Sequence, residues 1–367
     1  MDNFIPISQP SITQKEIDYV TDAVKSGWVS SMGKYVNAFE EQFADYVGTK
    51  YAVSTCNGTA ALHLALVSSG IKSGDEVIIP DFTFVATANA VKYTGAAVVC
   101  VDIEEESLCI DPEQIEKAIT EKTKAIIPVH VYGHPANMVA IRQIAQKYNL
   151  VVIEDAAESH GAEVSGKKVG SLGHCGVFSF YGNKIITSGE GGMVTTDDED
   201  LYEQLRNLRD HAMSKEKRYW HESVGFNYRM TNLQAALGVA QLERIEELLN
   251  RKREIFFAYR ELLAVNKRLR LNKEAVWAKN VYWMVCLEVE GFSESERDAF
   301  MKQLKNAGID SRPYFYPISD MPMYDKASTP VVHKIYKRGI NLPSFFDLDN
   351  HAIEYLCETI LKIFTVI

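Results

Sequence analysis

Paired cysteines are the first thing missing. The chain has six, Cys56, Cys100, Cys109, Cys175, Cys286 and Cys357, and no two stand as C-x-x-C. A zinc ribbon or thioredoxin-type redox site is therefore not expected, and no metal is expected either. Cysteines scattered singly through 367 residues read as reduced and mostly buried, the pattern of a cytoplasmic chain. Long apolar runs are also missing, none approaching the ~18 residues of a membrane span. Residues 1–10 are polar and proline-bearing, with no basic segment followed by an apolar one, so no signal peptide is expected. There is no long basic run, and the formal net charge is −10. That argues against nucleic acid or an anionic membrane as the main partner. It leaves room for a phosphate-bearing small ligand, because backbone amides bind one whatever the net charge. Neither the Walker A pattern nor G-x-G-x-x-G occurs, and there is no internal repeat or low-complexity segment.

What is present is the composition of a soluble globular protein, 46% hydrophobic and 24% charged, long enough for a large domain with a smaller one attached. Apolar residues at helical spacing predict helices over 11–26, capped by Ser11 or Thr13, and over 35–46. Between them lies a small, polar loop around Trp28, containing Ser31. Strand and helix then alternate. Strands are predicted at 51–54, 76–79, 97–101, 124–129 and 150–153, and helices at 60–69, 85–93, 111–120 and 137–148. This order implies a largely parallel sheet with helices on both faces. In such sheets ligands sit at the carboxyl ends of the strands. Thr59, Phe84, Asp155 and Lys184 all fall at or just beyond strand ends in this reading. The turn Cys56-Asn57-Gly58-Thr59 opens a helix after a strand, which makes it a ready anion site. A long helix over 232–263 reads as a connector. The rest reads as α+β: strand 282–289, helix 293–307, a short strand at 310–312 and a last helix at 352–364. A domain boundary is placed near residue 250, giving a large domain over 1–250 and a small one over 251–367.

One lysine stands apart. The stretch Phe178-Ser179-Phe180-Tyr181-Gly182-Asn183-Lys184 begins as a strand, and Gly189, Gly191 and Gly192 close it. An amine held between a buried strand and a glycine turn loses solvation, which lowers its pKa and frees it as a nucleophile toward carbonyls. A lysine that bonds pyridoxal phosphate (PLP) needs that property.

Several segments, taken together, resemble the sugar aminotransferases of the DegT/DnrJ/StrS family, which have the fold type I PLP architecture. They are Asn57-Gly58-Thr59-Ala60-Ala61-Leu62, Pro128-Val129-His130 with Tyr132-Gly133, Glu154-Asp155-Ala156-Ala157-Glu158, Phe178 through Lys184 to Gly192, and Gly225-Phe226-Asn227-Tyr228-Arg229 with Gln234-Ala235-Ala236. They stand in the family's order. The resemblance implies that Lys184 bonds the cofactor and shuttles the proton, and that Asp155 pairs with its ring nitrogen. It places Gly58, Thr59 and Ser179 at the phosphate, Phe84 on the ring face and Glu158 near the ring hydroxyl. Asn227 would reach the phosphate from a neighbouring subunit, so a homodimer with shared sites is expected. Trp28, Ser31, Trp220, Arg229, Arg312 and Tyr316 are candidates for the substrate side.

Within the family, Tyr181-Gly182-Asn183-Lys184-Ile185-Ile186-Thr187, Arg218-Tyr219-Trp220, Arg312 to Pro317, Met321 to Tyr324 and Asn341-Leu342-Pro343 most resemble enzymes that aminate a GDP-linked 4-keto-6-deoxy sugar for surface polysaccharide. Ser319 stands where that group usually carries a histidine. L-glutamate is the implied donor, and a dTDP- or UDP-linked 4-keto sugar is the alternative acceptor. A dehydratase of the same fold would carry histidine in place of Lys184. A non-catalytic PLP-binding regulator would need a DNA-binding region or basic face, and neither is found.

Overall fold

The computed structural model describes residues 4–365. Two helices lead in, α1 (Gln14–Lys25) and α2 (Lys34–Val47). Thr13 caps α1 through a capping box with Glu16, and Gly48 ends α2 in the left-handed conformation that glycine adopts without steric cost. The alternating region follows as β1 (Tyr51–Thr55), α3 (Gly58–Ser68), β2 (Glu76–Pro80), α4 (Ala86–Tyr93), β3 (Ala97–Val101), α5 (Pro112–Ala118), β4 (Thr123–Ile126), α6 (Met138–Tyr148) and β5 (Val151–Asp155). Two short strands, β6 (Glu163–Val164) and β7 (Lys167–Lys168), precede β8 (Cys175–Ser179), β9 (Gly192–Thr196) and α7 (Glu199–Arg209).

The large sheet has the order β1-β9-β8-β5-β4-β2-β3, and β9 alone runs against the others. Its register shows why one sheet builds two cores. Along β2, Ile78 joins one cluster while Val77 and Ile79 join the other; along β8, Phe178 and Val177 divide the same way. Side chains alternate across a strand, so a strand that is apolar throughout feeds both faces. Helix α3 is apolar all round because it is buried all round, packing on β8, β9, α4 and α7.

The second half contains α8 (Asn232–Leu242), α9 (Ile245–Leu263), β10 (Leu269–Leu271), β11 (Ala278–Lys279), β12 (Val285–Val289), α10 (Glu294–Asn306), β13 (Arg312–Pro313), α11 (Pro330–Ile335), β14 (Gly339–Leu342) and α12 (Asn350–Phe364). The connector expected over 232–263 is two helices, broken at Glu243 and Arg244. These residues turn toward α1 instead: Arg244 Nη1 lies 2.9 Å from Glu16 Oε1, and Glu243 accepts Lys15 Nζ at 2.7 Å. Along α9, Leu248 and Leu249 belong to the core of the large sheet, while Ile255, Phe256 and Tyr259 belong to a third cluster under the small antiparallel sheet β10-β12-β14-β13. The expected strand over 282–289 starts only at Val285, because Tyr282 takes a left-handed backbone. Strand β14, inside the small sheet, lies against Tyr314: a Cβ on Gly339 would meet that ring at 2.1 Å. Strands β11, β6 and β7 form a third sheet that ties residues 278–279 to residues 163–168. Among the described residues, no helix is long and apolar enough to cross a membrane.

Candidate active site

A cavity of about 1040 Å³ opens at the carboxyl ends of β5 and β8 and the start of α3. It is lined by Gly58, Thr59, Phe84, Asp155, Glu158, Ser179, Lys184, Arg312 and Tyr316 from the candidates above. Residues 58 to 184 meet because the sheet delivers its strand ends to one edge, and Arg312 and Tyr316 reach the cavity from β13 of the small sheet and the segment after it.

Asp155 is the last residue of β5. Its Oδ2 accepts from Thr87 Oγ1 at 2.7 Å and its Oδ1 from the amide of Ala157 at 3.2 Å. Burial pushes its carboxyl above the usual aspartate value, and the Thr87 and Ala157 hydrogen bonds and the charge of Lys184 oppose this. Its neighbour in sequence, Glu154, points to the other face. It is fully buried there and accepts from His130 Nε2 and from the amides of Gly170, Leu172 and Gly173. Strand alternation therefore separates a carboxylate that knits the fold from one that faces the cavity.

Lys184 sits on the loop after β8. Thr187 holds that loop through its hydroxyl on the Phe180 carbonyl at 2.9 Å, and the Lys184 amide donates to Tyr181 O at 2.9 Å. The amine lies 3.9 Å from Glu158 Oε1 and 4.0 Å from the centroid of the Trp283 ring. Glu158 is itself 4% exposed and accepts the amide of Tyr132 at 2.8 Å. Tyr132 is buried with φ 54°, a left-handed conformation rare outside glycine, which turns its amide to that carboxyl. Burial drives both charges toward neutrality. The Glu158 carboxyl is pushed up to about 7, with Lys184 opposing, and the Lys184 amine is held below the usual lysine value, with Glu158 and Asp155 opposing.

The anion end of the cavity is the start of α3. Asn57 caps the helix by accepting from the amide of Ala60 at 2.8 Å, and the first-turn amides have no partner within a helix. Gly58 cannot carry a side chain, because a Cβ would lie 2.7 Å from the Cβ of Ser179. The backbone of α3 and the Ser179 hydroxyl thus approach from two sides. A buried nucleophilic amine, a buried carboxylate with a raised pKa and an amide cradle that excludes a Cβ fit an aldehyde-bearing pyridine phosphate such as PLP.

Trp28, Ser31, Trp220, Asn227 and Arg229 do not line this cavity. The Trp28 loop is pinned by Asn232, which takes the Trp28 carbonyl at 2.7 Å and donates its amide to Ser30 O at 2.6 Å. The Asn227 side chain accepts from Arg229 at 3.1 Å, and Arg229 pairs with Asp210 at 2.6 Å. Ser319 is buried behind the cavity wall. Its amide and hydroxyl bond Asp81 at 2.7 and 2.8 Å, which fixes the segment carrying Tyr316 against the end of β2. Sequence reasoning missed Tyr132, Trp283 and Thr87. Only Tyr132 carried a local signal, the Tyr-Gly pair after His130.

A model of the DegT/DnrJ/EryC1/StrS aminotransferase family matches residues 10–361. The chain is 44% identical to the GDP-perosamine synthase of Escherichia coli O157:H7 over 364 residues, covering 99% of each chain. It is 42% identical to that of Vibrio cholerae, over 99% of this chain and 100% of the other, and 45% identical to that of Caulobacter vibrioides, over 95% of each. A solved structure described as "Putative sugar aminotransferase Spr1654 from Streptococcus pneumoniae, PLP-form" superposes with a TM-score of 0.94 at 29% identity, over 98% of each chain.

Proposed function

The chain belongs to the DegT/DnrJ/EryC1/StrS aminotransferase family, and from that premise we propose that it moves the amino group of L-glutamate to the C4 keto group of GDP-4-keto-6-deoxy-D-mannose, giving GDP-perosamine. It is a PLP-dependent enzyme. The observation that carries the chemistry is the Lys184 amine, desolvated and within 3.9 Å of Glu158 in a cavity that also holds Asp155. The choice of acceptor is supported by the three full-length relatives, each named GDP-perosamine synthase.

Bound PLP supplies an electron sink for the carbanion left when the α-proton of the amino donor is removed. Lys184 Nζ takes that proton and redelivers it, and burial lowers its basicity from that of an ordinary lysine. Asp155 would face the ring nitrogen and hold its proton there. Thr87 and the Ala157 amide fix the aspartate so that no reorganisation is needed at the moment of reaction. Glu158 would face the ring hydroxyl. Gly58, Thr59 and Ser179 would take the phosphate, and Phe84, more than half exposed at the cavity edge, would cover the ring. The second half of the reaction runs the same proton steps backward on the keto sugar, so one cavity serves two substrates in turn. Arg312 and Tyr316 line its sugar side. Asn227 would join from a second copy of the chain, and we place Trp28, Ser31, Trp220 and Arg229 with it, because none reaches the cavity of its own chain. The working unit is then a homodimer in the cytoplasm.

A two-step titration tests this reading. L-glutamate should bleach the visible cofactor band of the purified protein, and GDP-4-keto-6-deoxy-D-mannose should restore it. Restoration by a dTDP- or UDP-linked 4-keto sugar alone would overturn the GDP assignment and keep the transaminase. A band indifferent to glutamate would overturn the donor.

A further inference from the structure

Trp283 has no role in the chemistry described so far, yet its ring is built against Lys184. It is 5% exposed and held at both ends. Its indole Nε1 donates to the carbonyl of Asn183 at 2.8 Å, the residue next to Lys184 and 100 positions away in sequence. Its own carbonyl accepts from Lys252 Nζ at 2.9 Å, with Ser344 Oγ at 3.3 Å from the same atom. Lys252 is buried on α9 and reaches the Ser344 carbonyl as well. The indole therefore cannot slide or turn independently of the Lys184 loop or of the helix that enters the small domain. Its face is presented to the Lys184 amine at 4.0 Å from the ring centroid, within the range where a ring face attracts a cation.

We propose that the face of Trp283 is the seat of the Lys184 amine whenever that amine is not bonded to the cofactor, and that Trp283 is thereby a positioning residue for the proton steps. The inference rests on the reading of Lys184 as the cofactor lysine. Transamination frees this amine in the first half-reaction and rebonds it only at the end of the second, and a free lysine side chain has four carbon torsions to lose. A long side chain released into a cavity of about 1040 Å³ would leave the reacting carbon. The indole face and the Glu158 carboxyl, 4.0 and 3.9 Å from the amine, give it one place to stay. The other charged or titratable groups near it are Asp155 at the end of β5, His160 beneath, whose burial between Phe178 and Phe180 keeps it neutral, and Lys252 across the Trp283 backbone. The ring is the neighbour that favours the charged amine without being able to accept its proton.

The test is the pH dependence of PLP capture by the full-length, cofactor-stripped protein, followed by absorbance. Capture needs the neutral amine. A ring that favours the charged form holds the midpoint of capture up, so removing the ring must lower it. Trp283→Leu should move the midpoint down by about one pH unit, the size of one cation–π contact. Trp283→Phe keeps a ring face and should stay within about 0.3 unit. In single turnovers with glutamate, Trp283→Leu should slow the half-reaction by about tenfold and Trp283→Phe by less than threefold, with PLP affinity of both near that of the parent. An unmoved midpoint in a folded Trp283→Leu protein overturns the proposal, as does an equal shift in Trp283→Phe. If Trp283→Leu does not fold, Trp283→Met, bulky but without a ring face, takes its place under the same criteria. Capture by a Lys184→Ala protein at the parental rate would instead overturn the reading of Lys184. Because capture involves neither glutamate nor sugar, failure of the proposed reaction is read separately.

Discussion

Two buried glutamates carry opposite lessons. Glu16, at the joint of α1, α8 and α9, is 1% exposed and has both oxygens occupied. The Thr13 amide and hydroxyl reach one, and Gln241 and Arg244 reach the other at 2.7 and 2.9 Å. Burial raises its pKa, but the hydrogen bonds from Thr13, Arg244 and Gln241 overcome that and bring the carboxyl down to about 2. Glu158 is about as little exposed but set deeper in the protein, and it has one backbone amide at 2.8 Å and one amine at 3.9 Å. There burial wins, and the carboxyl is pushed up to about 7. Two carboxylates with little surface exposure thus behave differently: Glu16, nearer the surface and saturated with donors, is a fixed structural charge, and Glu158, deeper and with fewer donors, can change its proton near neutral pH. On adjacent positions of β5, Glu154 accepts from His130 and three backbone amides, whereas Asp155 accepts from Thr87 and one amide.

The sharpest way to break this comparison is to remove the under-partnered amine. Lys184→Ala should bind PLP without covalent attachment and lose turnover by roughly 10³-fold or more, as when a nucleophile is deleted. Transamination persisting in that protein would end the assignment. Asp155→Asn keeps the shape and the Thr87 contact but not the charge. Its turnover should fall by about 10²-fold with a thermal midpoint close to the parent, since this carboxylate serves chemistry more than packing.

On the saturated side the effect should reverse. Glu16→Gln leaves Arg244 only Glu247 and Ser11 as partners and should cost on the order of 1–2 kcal/mol in a urea melt at pH 7, with activity per folded molecule unchanged. The Glu16 pKa is depressed in the folded state, so its contribution is full above the ordinary glutamate pKa of 4.5 and disappears as pH falls through about 2. Parent and variant should therefore converge in acid. Glu158 has the opposite sign. Its folded pKa is raised, so its contribution is full below 4.5 and is lost as pH rises through about 7. In the cofactor-stripped protein, Glu158→Gln should stabilise by about 1 kcal/mol at pH 8 and change little at pH 4.5. A destabilised Glu158→Gln at pH 8 would mean that the ionised pair with Lys184 dominates instead.

Much of the architecture was legible because its signals are local. Caps such as Thr13, the apolar strands and the glycine turns act over a few residues, and the alternation of strand and helix by itself implied a parallel sheet with its ligand edge at Thr59, Asp155 and Lys184. The roles of those residues came through resemblance rather than spacing. What escaped were features made by distant partners. The break at Glu243 and Arg244 answers to Glu16, more than 200 positions away. Strand β14 is too short to announce itself, and it exists because β12 and β13 pair with it. Trp283 read as an ordinary apolar residue of a strand.

The sequence by itself determined the order and kind of the elements and which residue types could carry the chemistry, because backbone preference and side-chain alternation are short-range. Tertiary structure decided which of those residues became reactive. Desolvation and the count of hydrogen-bond partners set a proton's affinity, and both depend on side chains that meet only after the chain has folded.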